Sequence, residues 1–222
     1  MRFVAFVFVV TAAALGFAFR PELAGTTTFW ITLTGAYAIV GALAVYRMWD
    51  DGTLLDVLKP RWGDLSIGAL IAGVLVLASW AARAVLAPAG TPRQGWLLRI
   101  YLQLGDAEAV QRSALLTVAV LLLPALDELA WRGLVLPTIA ERVGTRRAWP
   151  LATLLYGLSA VPTVFALADA EAGPNPLLVI GAVGCGLFWS FTAQMMGRLP
   201  PVMISHAAFS YFSITQFRLP GT

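Results

Sequence analysis

The chain has 222 residues, 59% of them hydrophobic and 12% charged, with a formal net charge of +3. That composition, with a mean hydropathy of +0.79, exceeds what the core of a soluble domain this long can absorb, so the solvent this fold expects is lipid. The small, scattered positive charge excludes a nucleic-acid footprint; the single cysteine, Cys185, excludes a disulfide framework or multi-cysteine zinc site, and the single histidine, His206, a two-histidine metal site from this chain alone.

Apolar runs of about 17–25 residues read as transmembrane helices, and about seven occur. Phe3 to Phe19 is the first. Its apolar run exceeds the roughly 7–15 residues of a signal-peptide core, so it is expected to remain as an anchor rather than be cleaved. Thr28 to Tyr46 follows, then Leu65 to Leu86, which carries Arg83 near its end; that side chain is expected to snorkel to the outer interface. The loop from about Ala87 to Ser113 contains Trp96-Leu-Leu-Arg-Ile-Tyr-Leu-Gln-Leu104. It reads either as a short helix lying along the outer surface or as a loop packed on the bundle. Ala114 to about Ile139, Ala148 to Ala168, Leu177 to Met196 and Val202 to Phe217 complete the set. No internal repeat or linker divides the chain. The expectation is an all-α, polytopic bundle in one membrane domain, with residues 1–113 as N-terminal spans and outer loop and residues 114–217 as the core that carries the motifs.

Basic residues beside the spans set the orientation. Arg47, Lys59 and Arg61 lie between spans two and three, Arg142, Arg146 and Arg147 between four and five, and Arg198 between six and seven. The stretch Asp169 to Pro176 has no positive charge. These agree on an inner-membrane protein with a cytoplasmic N-terminus, against which Arg93, Arg99 and Arg112 in the third loop argue mildly. Trp49, Trp62, Trp96 and Trp149 flank spans, as interfacial anchors do.

The fourth span holds Leu-Pro-Ala-Leu-Asp-Glu-Leu-Ala-Trp-Arg-Gly, residues 123 to 133. A charge at a membrane helix centre costs roughly 2.5–3.5 kcal/mol on insertion scales, so Asp127, Glu128 and Arg132 must pair with one another or line a polar cavity. Glu128 and Arg132 are four apart on one helix face, the acid N-terminal in the better orientation. Asp127 sits about 100° round from Glu128, so one acid can anchor the arginine and leave the other for chemistry. A structural ion pair between helices is the plainer reading of the same residues. Tyr156, Ser159 and Thr163 in span five and His206 with Ser210 in span seven fall at comparable depth, the last two on one helix face. Gly181, Gly184, Gly186 and Cys185 read as small residues that permit close helix packing.

Residues 121 to 147, from Leu121 through the acidic motif to Gly144-Thr-Arg-Arg147, resemble the first motif of the CPBP family, which contains CAAX prenyl endopeptidases and Abi-type bacteriocin-processing or self-immunity membrane proteins. Its pattern is Glu-Glu-x-x-x-Arg and then Gly, with later spans carrying Phe-x-x-x-His and His-x-x-x-Asn. The resemblance covers about Ala114 to Phe217. It implies that Asp127 holds the place of the water-activating glutamate, with Glu128 and Arg132 matching the second acid and the arginine. Tyr156-Gly-Leu-Ser-Ala160 falls on the second motif, so Ala160 replaces its histidine; His206-Ala-Ala-Phe-Ser210 falls on the third, so Ser210 replaces asparagine. The implied catalytic set is Asp127, Glu128, Arg132, His206 and Ser210, with Trp131, Tyr156 and Ser159 as substrate-binding residues.

What the resemblance implies is an intramembrane endopeptidase that cuts membrane-anchored or lipid-proximal peptides with carboxylate-activated water. Ala160 can neither accept nor donate a hydrogen bond, and Ser210 donates from a different position than an amide, so an inactive relative that binds membrane peptides in immunity or assembly is the rival reading. A small proton-coupled transporter is a third, against which stands the absence of broken helices in repeated halves. No cofactor is expected. An older family view places a metal here, but Asp127, Glu128 and His206 offer at most three ligands and a single nitrogen. Membrane lipids and a peptide substrate are the implied partners.

Overall fold

The computed structural model describes residues 1–216, and among them the chain is helical, without a β-strand. The helices are α1 (Arg2–Ala18), α2 (Thr27–Asp50), α3 (Leu54–Leu58), α4 (Asp64–Leu86), α5 (Gln94–Leu104), α6 (Ala107–Arg112), α7 (Ala114–Glu128), α8 (Leu136–Val143), α9 (Thr145–Ser159), α10 (Pro162–Ala166), α11 (Leu177–Met196) and α12 (Pro200–Thr215). A π-helical segment, Leu129–Val135, joins α7 to α8.

Five stretches are long and apolar enough to cross a membrane: α2, α4, the continuous rod Ala114–Val143, Thr145–Ala166 and α11. The first and last of the seven expected spans are shorter, with 17 residues in α1 and 16 in α12. They fall at or just below the length that crosses about 30 Å of hydrocarbon. The expected end of the last span, Phe217, lies outside the described residues.

The connections gather at two opposite ends of the bundle. At one end the Arg47 guanidinium lies 5.2 Å from the centre of the Phe3 ring, Arg198 pairs with Asp64, and the Leu199 N–H donates to the Val57 carbonyl at 3.0 Å. At the other, Gln103 Nε2 donates to the carbonyls of Ala18 at 2.7 Å and Arg20 at 3.1 Å, Trp96 Nε1 to Gly173 O at 3.1 Å, and Asn175 Nδ2 to Trp96 O at 2.9 Å. The chain therefore runs back and forth between two faces. Of the two readings for the third loop the structure shows the helix: α5 is pinned to both neighbouring loops by those bonds. Asp169, in one of those loops, accepts the N–H groups of Glu171 and Ala172, which hold its carboxyl below the usual carboxylate range.

Close packing of α12 on α4 sets the position of the sole histidine. The two helices run parallel: Gly68 meets Ile204 and Pro201 near their starts, and Trp80, Phe212 and Gln216 line one groove near their ends. A Cβ on Gly68 would lie 2.7 Å from Ile204 Cγ2 and 2.9 Å from the Pro201 carbonyl, so only glycine allows this approach. Replacing Gly68 by leucine overpacks the seam and should cost about 1–3 kcal/mol, read as a lower Tm in detergent. Gly73→Leu, at a position with nothing within 4 Å, should leave Tm unchanged.

Candidate active site

The acidic motif sits where the helix widens. Pro124 lies inside α7, lacks an N–H and so removes one rung of the helical ladder. Three residues later come Asp127 and Glu128, followed at once by the π-helical segment. Side chains five apart lie about 140° apart on an α-helix, but an i→i+5 hydrogen-bond pattern brings them round to one side. Both acids consequently face the arginine: Arg132 Nη1 is 3.2 Å from Glu128 Oε1 and 3.9 Å from Asp127 Oδ2. The 100° spacing of a regular helix had allowed Asp127 to point away; the widened turn does not.

His206, from α12, completes the cluster. Its Nδ1 lies 2.7 Å from Glu128 Oε1 and 3.7 Å from Asp127 Oδ2. One glutamate oxygen thus serves both the guanidinium and the imidazole. The group is withdrawn from solvent, with relative exposures of 3% for Asp127, 0% for Glu128, 3% for Arg132 and 9% for His206. Burial of four ionisable groups is tolerated because they neutralise and bond one another. Tyr37 and Tyr156 approach Asp127 from the cavity wall, while Glu128 Oε2 has no hydrogen-bond partner in the protein.

Helix α11 supplies the supports. Trp189 stacks on His206 with ring centres 3.8 Å apart and planes 22° from parallel, and its Nε1 donates to Ser205 Oγ at 3.1 Å. Arg132 Nε donates to Ser190 Oγ at 3.2 Å and Nη2 to the Gly186 carbonyl at 3.5 Å. A Cβ on Gly186 would stand 3.1 Å from the Tyr156 ring and 3.2 Å from Arg132 Nη2. The small residues of α11 therefore do more than permit packing, since they let a backbone acceptor reach the arginine.

Two cavities open on the cluster. One, of 250 Å³, is lined by Asp127, His206 and Ser210 together with Tyr37 and Tyr156. The other, of 370 Å³, is lined by His206, Tyr156, Ser159 and Ala160, and also by Trp189 and Cys185. Ala160 thus shares a wall with His206, as the motif alignment required, and Ser210 lies beside the imidazole. Tyr156 and Ser159 are cavity residues, although the Ser159 hydroxyl is spent on the Tyr156 carbonyl at 2.7 Å. Trp131 differs from its expected role: only 1% exposed, it packs edge-on behind Tyr156 with ring centres 5.3 Å apart. Thr163 is fully buried and lines the larger cavity. Arg83, expected at the outer interface, lines that cavity too.

The reading of the sequence missed Tyr37, Trp189 and Ser190. Tyr37 belongs to a helix without a motif, and Trp189-Ser190 sits in an evenly apolar span. The available signal was a tryptophan well inside a span instead of at its edge.

Asp127, Glu128 and His206 each present a ligand atom within 4.8 Å of the others, a spacing that three donors to one cation would show. Two features of the donor set oppose a divalent ion. Arg132 already places a permanent positive charge beside both carboxylates, and Glu128 Oε1 with His206 Nδ1 is an internally satisfied pair.

The family model described as type II CAAX prenyl endopeptidase, Rce1-like, matches residues 109–212. No curated protein and no solved structure matches the chain. Residues 109–212 contain both acids, the arginine, the histidine and the π-helical segment that gathers them, and over that stretch, just under half of its length, the chain is similar to the type II CAAX prenyl endopeptidases.

Proposed function

We propose that this protein is a metal-independent intramembrane endopeptidase that hydrolyses membrane-proximal peptides, with Asp127 as the base that activates water. The observation that carries this reading is the division of labour between the two acids. Glu128 Oε1 is committed to Arg132 and His206, whereas Asp127 lies 3.9 Å from Arg132 and 3.7 Å from His206 and lines the cavity beside them, between Tyr37 and Tyr156. A base must lie within hydrogen-bond reach of water; Asp127 lines a cavity beside His206, whereas Glu128 is fully buried and lines neither cavity on the cluster.

In the reaction Asp127 takes a proton as water attacks the scissile carbonyl, and returns it to the departing amine. Glu128 holds His206 through Nδ1, fixing the ring so that Nε2 carries the remaining chemistry. Ser210 donates toward the oxygen on which negative charge develops, and with Nδ1 donating to Glu128 His206 adds a second donor there when its ring carries both protons. Arg132 holds Glu128 in place. Asp127 and Glu128 set two carboxylates against the one guanidinium of Arg132, so one proton on the cluster balances its charge, which suits a group that must accept and then return one. The N-terminus on the cytoplasmic side of an inner membrane, argued from the basic loops, is part of the same proposal.

One observation favours the second reading, a family member that captures peptides without cutting them. Ala160 occupies the cavity wall at the motif position where the family carries a histidine, so one hydrogen-bonding group is missing from the pocket.

Purified protein given a library of hydrophobic membrane-proximal peptides should cleave some of them, and Asp127→Asn should lower kcat by at least about 10²-fold. Peptide capture with no turnover by the wild type would establish the second reading instead. Ser210→Ala should lower kcat by roughly 10²-fold with KM unchanged, as loss of one oxyanion donor does. Ala160→His should raise turnover, measured on the same peptides. Cleavage should survive chelator dialysis; activity that disappears and returns with zinc would overturn the metal-independent mechanism. Arg132→Met leaves Glu128 and Asp127 without their cation in a buried site and should destabilise the fold by about 3–5 kcal/mol, read by thermal unfolding.

A further inference from the structure

The two cavities on the catalytic cluster share part of their walls, and among the described residues the polar side chains common to both are Tyr37, Tyr156 and His206. Asp127 lines the smaller cavity and Ala160 the larger. A backbone carbonyl lying across the junction is therefore flanked by two phenols and an imidazole. The hydroxyls that flank Ala160 in sequence are committed elsewhere: Ser159 donates to the Tyr156 carbonyl and Thr163 to that of Ala160, each at 2.7 Å.

Helix packing brings Tyr37 to this place. It sits midway along α2 on the buried stripe Trp30, Leu33, Tyr37, Val40 and Ala44, whose spacing of three and four residues faces one side. Gly41, one turn further on, meets α7: a Cβ there would lie 2.8 Å from Leu126 Cδ2 and 3.6 Å from Leu126 Cα. The two helices thus approach closely beside Asp127. The Tyr37 phenol reaches toward the Asp127 carboxylate from α2, as the Tyr156 phenol does from α9. A tyrosine buried in an apolar span needs such a partner for its O–H. Tyr156 is clamped, with the Arg132 guanidinium 4.4 Å from its ring centre, the Trp131 ring edge-on at 5.3 Å and the Gly186 backbone against it. That setting fits Tyr156 to hold the carboxylate still.

We propose that Tyr37 is a catalytic residue, whose phenol donates to the Asp127 carboxylate in the resting site and to the scissile carbonyl oxygen once negative charge develops there. This rests on the reading of Asp127 as the base of a hydrolase. As the water oxygen bonds to the carbonyl carbon, a water proton passes to Asp127 and the π pair of the C=O bond moves onto its oxygen. Negative charge leaves the carboxylate and appears on the alkoxide. In a low-dielectric site an O–H donor bonds more strongly to the charged acceptor, so the phenol follows the charge while keeping its own proton. When the C–N bond breaks, the nitrogen takes the bonding pair and the proton held by Asp127, the carbonyl re-forms, and the phenol returns to the carboxylate. Tyr37 thereby supplies, beside Ser210, a donor that Ala160 lacks. It does so from a helix outside the matched residues 109–212.

Tyr37→Phe removes one oxygen and keeps the ring, so Tm in detergent should be unchanged. It should lower kcat roughly 10²–10³-fold, as loss of an oxyanion donor does, with KM unchanged because the bond to the substrate is made in the transition state. Tyr46→Phe, on the exposed side of the same helix, should alter neither. Binding gives a measurement apart from turnover. A fluorescent hydrophobic peptide, and analogues in which a phosphinate replaces each amide in turn, are titrated against protein in nanodiscs, the phosphinate presenting a tetrahedral anion. Tyr37→Phe should weaken the tightest phosphinate by roughly 10²-fold and leave the parent peptide as it was. Unchanged kcat, phosphinate affinity indifferent to residue 37, equal losses for peptide and phosphinate, or the loss appearing in Tyr156→Phe instead would overturn the proposal. Phosphinate binding that depends on Tyr37 in a protein that never cleaves refutes the hydrolase and leaves the donor standing; cleavage that survives Tyr37→Phe does the reverse.

Discussion

A single carboxylate oxygen, Glu128 Oε1, bonds to Arg132 within its own helix and to His206 from the far end of the chain. In a bundle whose exterior faces lipid, apolar contact alone gives little preference for one helix arrangement over another, because lipid tails are as apolar as leucine. A buried polar contact does discriminate. Any arrangement that separates α7 from α12 leaves the His206 imidazole without its carboxylate partner in a medium that solvates it poorly. The rest of the site can be read as support for that oxygen: Ser190 and Gly186 hold the arginine, and Trp189 holds the imidazole flat.

This arrangement also explains why two adjacent acids acquire different tasks. Side by side in sequence, they receive their environments from a local irregularity. Pro124 and the π-helical segment rotate both toward Arg132, but the imidazole reaches only one of them at hydrogen-bond distance. Glu128 becomes the internally satisfied member and Asp127 the one left facing space. A regular α-helix would give each acid a different face of the bundle, and a site with one acid instead of two. The π-helical geometry, costly in isolation and common at functional sites, is what allows structural and chemical roles to sit on consecutive residues.

The cavity system follows from the same packing. Gly68 lets α12 lie tightly along α4 at their starts, and the groove around Trp80 and Phe212 is lined by the same two helices near their other ends. The chamber is closed by well-packed aromatic residues on the side of the catalytic cluster and is open toward lipid near Arg83.

Much of this was legible in the sequence, for identifiable reasons. Apolar runs declare spans because lipid leaves the backbone no alternative to helix, and charged residues inside such a run declare a site because their burial is so unfavourable. Asp127, Glu128, Arg132 and His206 were therefore visible one by one, and the motif spacing linked them. Their mutual distances were not, because residue 128 meets residue 206 only through the fold. The sequence likewise determined that Glu128 and Arg132 would pair, four residues apart on one helix. That Asp127 would turn to the same side depended on the π-helical segment, a departure from the 3.6-residue period that no apolar pattern records. Tyr37, Trp189 and Ser190 came from helices without any motif, and Arg83 looked like an ordinary interfacial cation. Tertiary structure alone decided that Tyr37 shares a cavity wall with Asp127, that Trp189 meets His206 and Ser190 meets Arg132, and that Arg83 lines the chamber with His206, because lipid exposure and cavity exposure select the same apolar residues and differ only in which neighbours the fold brings to them.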